Sequence, residues 1–134
     1  MKGIVFRRLI IMLAMTVSIL SIPVPVLADD VNVLAGELIR MNDKIDAKVK
    51  YYGVSEYPRI FTETIQENPN ILIREYPIIG EYTGTASILL VCNKEKSRGL
   101  LLDISCTPEL DWNLSQKGNY PCEIMPEARQ LCTK

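Results

Sequence analysis

The segment "ASILLVCNKEKSRGLLLDISC", residues 86–106, decides the fold of this chain. Two apolar runs, residues 86–92 and 99–106, flank a polar stretch that is rich in lysine. Two such runs around a short polar turn are typical of a β-hairpin. Strands with near-continuous apolar runs are buried on both faces. The segment therefore predicts a hairpin near the centre of the core, with its charged turn in solvent. Asp103 interrupts the second run, and we expect it to face outward or to lie at an edge.

Four cysteines lie on this hairpin and on the tail that follows it: Cys92, Cys106, Cys122 and Cys132. An even number of cysteines in a small exported domain predicts disulfides. The two hairpin cysteines are expected about 20 Å apart along the ladder, whereas a disulfide joins Cα atoms within about 7 Å. Each should therefore bond into the tail. We favour Cys92–Cys132 with Cys106–Cys122 over the alternative of Cys92–Cys122 with Cys106–Cys132.

The first 28 residues have the pattern of an export signal. Lys2, Arg7 and Arg8 precede an apolar run at residues 9–20, and small residues before position 29 match a cleavage site. The alternative is an uncleaved membrane anchor, but the apolar run is shorter than the ~20 residues that a spanning helix needs. We expect cleavage after Ala28, a periplasmic or secreted protein, and no stable membrane anchor after cleavage.

Composition excludes several classes of function. The 134 residues include 15 Lys and Arg against 16 Asp and Glu, and three of the bases lie in the predicted signal. The acidic remainder argues against a nucleic-acid partner, since that binding uses lysine and arginine to neutralise phosphates. The chain has no histidine, which removes histidine-based catalysis and histidine metal ligands. We expect no enzyme activity, no catalytic residue, no metal and no cofactor, and we expect Glu63 and Glu67 to be solvated surface acids.

A helix is predicted over residues 31–52. Its apolar positions are spaced by 3, 4, 3 and 4 residues, as in a coiled-coil seam: Val31, Leu34, Leu38, Met41 and Ile45. Asp30 suits the N-cap and Gly53 suits the C-terminal stop, and the register continues to Lys48. The stripe can pack on its own domain, or it can form an exposed seam that binds a partner. We assign these five residues, together with Trp112, as candidate partner-binding residues.

The remainder predicts a mostly β unit. A strand is expected at residues 57–65, a turn at 67–71 and a sheet edge near 71–82, where Pro77 lacks an amide donor. The tail is irregular, with a short helix that starts at Pro126. The fold class is therefore α+β, with a signal peptide at 1–28, an amphipathic helix at 29–53, and a small, mostly antiparallel, disulfide-stapled β domain at 54–134.

The stretch "PIIGEYTGTASILLV", residues 77–91, adds a family resemblance. Together with the helix at residues 31–45, it resembles small periplasmic accessory proteins of type IV pilus biogenesis, especially those of type IVb pili. The matching positions are Ile79, Gly80, Gly84, Ala86 and Leu89. The layout covers most of the exported chain. The resemblance implies a non-enzymatic protein that associates with an envelope-spanning secretin or a pilus assembly.

Two functions follow as expectations. The first is protein–protein contact within an envelope assembly, through the helix and through an exposed edge near residues 71–82 that adds a strand to a partner sheet. The second is a secreted inhibitor or immunity-type protein that blocks a hydrolase with a disulfide-stapled loop in the 107–121 segment.

Overall fold

The computed structural model describes residues 28–107, 112–114 and 119–132. The predicted signal peptide lies outside these residues except for Ala28, where the first helix begins. The helices of the described chain are α1 Ala28–Tyr52, α2 Tyr57–Gln66, α3 Ile71–Arg74 and α4 Pro126–Gln130, with a 3-10 turn at Val54–Glu56. The strands are β1 Ile78–Tyr82, β2 Ser87–Cys92, β3 Gly99–Ile104 and β4 Trp112–Asn113. Among the helices described, none has the length and apolar character needed to cross a membrane.

The long helix α1 follows its predicted apolar stripe. The described part of the helix already includes Ala28 and Asp29, so Asp30 lies inside the helix and is not the N-cap that the sequence predicts. It ends as predicted before Gly53, whose φ of 110° favours glycine and whose amide donates to the Val49 carbonyl oxygen at 2.8 Å. The stripe continues to Val49, which is 1% exposed, and not to Lys48. A straight helix turns every 3.6 residues, so a strict seven-residue register drifts off its face.

The strand predicted at residues 57–65 is wrong, because these residues form α2. Pro58 lies in the first turn of α2, where the missing amide costs nothing. Ile60 and Thr64 are buried one turn apart on the same face. Arg59 pairs with Glu56 at 2.8 Å and with Glu63 at 2.9 Å, which are helical spacings. A short apolar segment fits either period, and here packing against α1 selects the helix.

The sheet is an antiparallel meander in the order β1-β2-β3-β4. The predicted hairpin is confirmed as β2 and β3, which occupy the two central positions and are buried throughout. Cys92 pairs with Gly99 across a register shift. Asn93 organises the turn, since its side-chain Oδ1 accepts from the amides of Ser97 at 2.8 Å and Arg98 at 3.0 Å.

Each face of the sheet has its own core. On the helix face, the stripe of α1 packs with Leu89, Val91 and Leu101 of the central strands. On the tail face, the alternate residues Ile88, Leu90 and Leu102 pack beneath the tail. The tail contributes the buried residues Ile124 and Ala128. Side chains of a strand point alternately to the two faces, so one hairpin supplies both cores.

The disulfides are Cys92–Cys122, with Cα atoms 5.6 Å apart, and Cys106–Cys132, with Cα atoms 6.0 Å apart. Bonding of each hairpin cysteine into the tail is confirmed, but the pairing that we favoured is wrong. The reason is the direction of the tail. The Gly99 amide donates to the Tyr120 carbonyl oxygen at 2.9 Å, which places Cys122 beside the turn end of the hairpin. The chain then runs along the tail face to Cys132 at the other end. The α+β fold class, with an N-terminal helix and a small antiparallel sheet, is confirmed.

Candidate functional site

The residues predicted to form a partner-binding seam on α1 are part of the protein's own core. Val31, Leu34, Leu38, Met41 and Ile45 are between 0% and 6% exposed, and all belong to the cluster on the helix face. Burial of this stripe against β2 and β3 removes it from solvent, so packing on its own domain is the arrangement present. The assignment of these five residues to a partner surface is therefore corrected.

Asp103 is also placed differently from the prediction. It faces α1 and is 2% exposed. Asn42 of α1 donates from Nδ2 to Asp103 Oδ2 at 2.8 Å and to the Ser87 carbonyl oxygen at 2.9 Å. These bonds join the middle of α1 to both central strands. A polar pair inside an apolar layer fixes how the two elements dock, because a shifted helix would leave buried polar groups unbonded.

The edge of the sheet at β1 is open in the described structure. β2 lies on one side of β1, and no described strand lies on the other. The Cys92 amide donates to the Pro77 carbonyl oxygen and the Thr83 amide donates to the Ala86 carbonyl oxygen, both at 2.9 Å. Because backbone bonding alternates along an antiparallel pair, the amides and carbonyls of Ile78, Gly80 and Tyr82 point away from β2. We call this row the open edge.

Aromatic rings hold the open edge against α2. A Cβ atom on Gly80 would lie 2.6 Å from Cδ2 of Phe61 and closer still to the hydroxyl of Tyr57, so only glycine permits this approach. The ring centroid of Tyr57 lies 5.9 Å from those of both Phe61 and Tyr82. Burial, assisted by the negative charge of Glu81, raises the pKa of Tyr57 well above its usual value. Burial and then Asp46 raise the pKa of Tyr82. Both phenols therefore stay neutral at physiological pH.

A cleft of 430 Å³ lies at the end of the sheet where the chain enters β1. Its walls include Arg74, Tyr76, Lys94 and Lys96, and one acid, Glu75. Lys94 Nζ lies 5.3 Å from the ring centroid of Tyr76, a cation–π contact that positions the ammonium group. Among the described residues, Arg74, Lys94 and Lys96 form no ion pair. The ion pairs that are present involve other basic residues. We call this region the cationic cleft.

Two other carboxylates, Glu63 and Glu37, have local partners. Glu63 accepts a hydrogen bond from Arg59. A second cleft, of 290 Å³, separates α1 from α2 and is lined by Glu37, Arg40 and Thr64. Glu37 accepts hydrogen bonds from Arg40 and Asn68, and the bond from Arg40 is the main cause of its lowered pKa. Within the described ranges, no group of three or more histidine, cysteine or acidic side chains could hold a metal.

Sequence reasoning found part of this site. The expectation of an edge near residues 71–82 matches β1, although residues 71–74 form the short helix α3. The cationic cleft is not predicted, because the sequence indicates a solvated turn for Lys94 and Lys96 and Arg74 carries no motif. The spacing of these cations in the sequence gives no signal for their convergence. Trp112 lies in β4, and its role in binding stays a prediction.

Comparison of the chain with protein-family models, with curated proteins and with solved structures finds no match in any of the three.

Proposed function

We propose that this protein is an exported, non-enzymatic component that acts by protein–protein contact, and that the contact is addition of a partner strand to the open edge. We further propose that the partner belongs to a pilus or secretin assembly in the periplasm. The sequence resemblance to accessory proteins of type IVb pili supports that choice of assembly. Two disulfides support an oxidising compartment outside the cytoplasm.

The open edge is the observation that carries the proposal. Ile78, Gly80 and Tyr82 present a row of outward amides and carbonyls, which is what an extended segment needs in order to join a sheet. Soluble proteins usually protect such edges with lysine, proline or a bulge. β1 contains neither lysine nor proline, and its register with β2 shows no shift. Its one charged residue, Glu81, pairs with Arg129 of α4 at 2.5 Å.

The strand at this edge is also held extended by its neighbours. Tyr57 and Phe61 pack closely over Gly80, and β2 bonds to the inner side of the strand. A strand that is already extended loses little conformational entropy when a partner pairs with it. This favours β1 over β4, of which the described residues include only two.

The test is position-specific cross-linking in the native envelope. A photoreactive phenylalanine replaces Tyr82 at the open edge in one variant. In the control variant it replaces Val33, which is 46% exposed on α1. We expect a cross-linked partner from position 82 and none from position 33, with secretin or pilus subunits identified by mass spectrometry.

Other outcomes separate the alternatives. A soluble hydrolase captured at position 82 would replace the assembly by the inhibitor function. Equal capture at both positions, or capture at position 33 alone, would contradict contact through the open edge. Both variants should melt cooperatively beforehand, which shows that the label has not unfolded the sheet.

A further inference from the structure

We infer that the segment recognised by the open edge runs antiparallel to β1 and ends in acidic groups that lie in the cationic cleft. This inference rests on the strand addition proposed above, and it specifies the direction and the chemistry of the partner. The partner is an extended protein segment with acidic side chains, a free terminal carboxylate, or both, at its carboxyl end.

The geometry of β1 sets the direction. The chain passes the cationic cleft at residues 74–77 and then enters the open edge at Ile78. A strand added antiparallel to β1 therefore has its carboxyl end at the cleft, whereas a parallel strand would have its amino end there. β1 spans about 17 Å, so an added segment of roughly seven residues would cover the edge and reach the cleft.

Charge distinguishes the two directions. Three cations, Arg74, Lys94 and Lys96, line the cleft against one acid, Glu75. Glu95 lies in the same turn as the two lysines and is exposed. Although the chain as a whole is slightly acidic, this end of the sheet carries an excess of positive charge. Carboxylates are the complementary group, and an amino end would be repelled.

The opposite end of β1 offers no such excess. Near Tyr82, Lys50 pairs with Asp46 at 2.7 Å. On the tail face of β1, Arg129 pairs with Glu81 at 2.5 Å. These charges are paired within the protein, whereas among the described residues the three cations of the cleft form no ion pair. The resulting asymmetry along β1 gives an incoming strand one preferred direction.

The test uses the full exported chain with its disulfides formed, and three octapeptides at millimolar concentration. The first alternates threonine and valine and ends in Asp-Glu with a free carboxylate. The second carries the same acids at its amino end and is amidated. The third ends in Asn-Gln and is amidated. Amide chemical shifts report both the affinity of each peptide and the residues that it contacts.

We expect the first peptide to bind about fivefold to tenfold more tightly than the other two at low salt. This preference should disappear at about 1 M salt, where the screening length is about 3 Å. The variant K94Q/K96Q should lose the preference but bind the third peptide unchanged. The matched control K44Q/K48Q, which removes two positive charges from α1, should retain it.

The outcomes separate this inference from the proposed function. Two methylated forms of the first peptide are compared, one with its odd-numbered amides methylated and one with its even-numbered amides methylated. One form should lose binding and the other should retain it, because only every second amide faces the edge. If all three peptides bind equally and methylation has this alternating effect, the preference for an acidic partner is contradicted, whereas strand addition to the open edge is supported. Binding of the first peptide that is insensitive to methylation would contradict strand addition itself, and so would absence of binding by all three.

Discussion

On the helix face, the sheet is covered by α1 and α2, which are regular helices with apolar stripes. On the tail face, it is covered by residues 119–132, which contain only the five-residue helix α4 and are tied to the hairpin by two disulfides. The same central strands, β2 and β3, supply both cores. The two faces show two ways to hold a segment against a sheet. A regular helix is held by burial of its apolar stripe, whereas a short, irregular segment without such a stripe is held by disulfides.

The largest effect on stability is expected from Leu38→Asp, because this substitution places a charge in the core on the helix face. Leu38 is 0% exposed, and an unpaired buried carboxylate costs more than about 4 kcal/mol. We expect loss of cooperative unfolding, measured by circular dichroism. Val33→Asp on the exposed side of the same helix should change the free energy of unfolding by less than about 0.5 kcal/mol. A folded Leu38→Asp protein would show that α1 is not part of the core.

The next largest effect concerns the tail face. Replacement of both cysteines of one disulfide by alanine should cost about 3.5 kcal/mol, from the entropy of a closed loop of this length. The sequence separations, 30 for Cys92–Cys122 and 26 for Cys106–Cys132, predict nearly equal losses. Urea unfolding of the two double variants measures them.

Reduction should distinguish the two disulfides. Cys92 is 0% exposed, whereas Cys106 is on the surface. We expect mild reductant to open Cys106–Cys132 first, as detected by alkylation and mass spectrometry. Equal rates of opening would contradict a tail that shields Cys92.

The buried polar pair should have an intermediate effect. Asn42→Ala removes the donor to Asp103 Oδ2, and loss of a hydrogen bond to a buried acceptor costs about 1–3 kcal/mol. Asn32→Ala, at an exposed position of the same helix, is the control. Chemical denaturation of both variants gives the comparison, and equal stability would mean that the pair does not fix the docking of α1.

The smallest effect is expected from Tyr57→Phe and depends on pH. Burial is the main cause of the raised pKa of Tyr57 in the folded protein. The fold therefore favours the neutral phenol, and the stability that depends on this phenol is complete below its ordinary pKa of about 10. That stability is lost as the pH rises above this value. The variant should therefore lose less stability than the native protein above pH 10. Its stability at pH 7 should change little, because the Tyr57 hydroxyl has no hydrogen-bond partner among the described residues. Tyr51→Phe, at a position 81% exposed, is the control.

Local patterns in the sequence determined α1, the central hairpin and the bonding of each hairpin cysteine into the tail. Periodicity and turn chemistry act within a few residues, so they can be recognised without the fold. The tertiary structure alone decided that residues 57–66 are a helix, that Asp103 is buried against Asn42, and which tail cysteine each hairpin cysteine meets. It also brought Arg74 beside Lys94 and Lys96. These outcomes depend on contacts between segments distant in sequence, whose free energies exceed the weak local preferences of each segment.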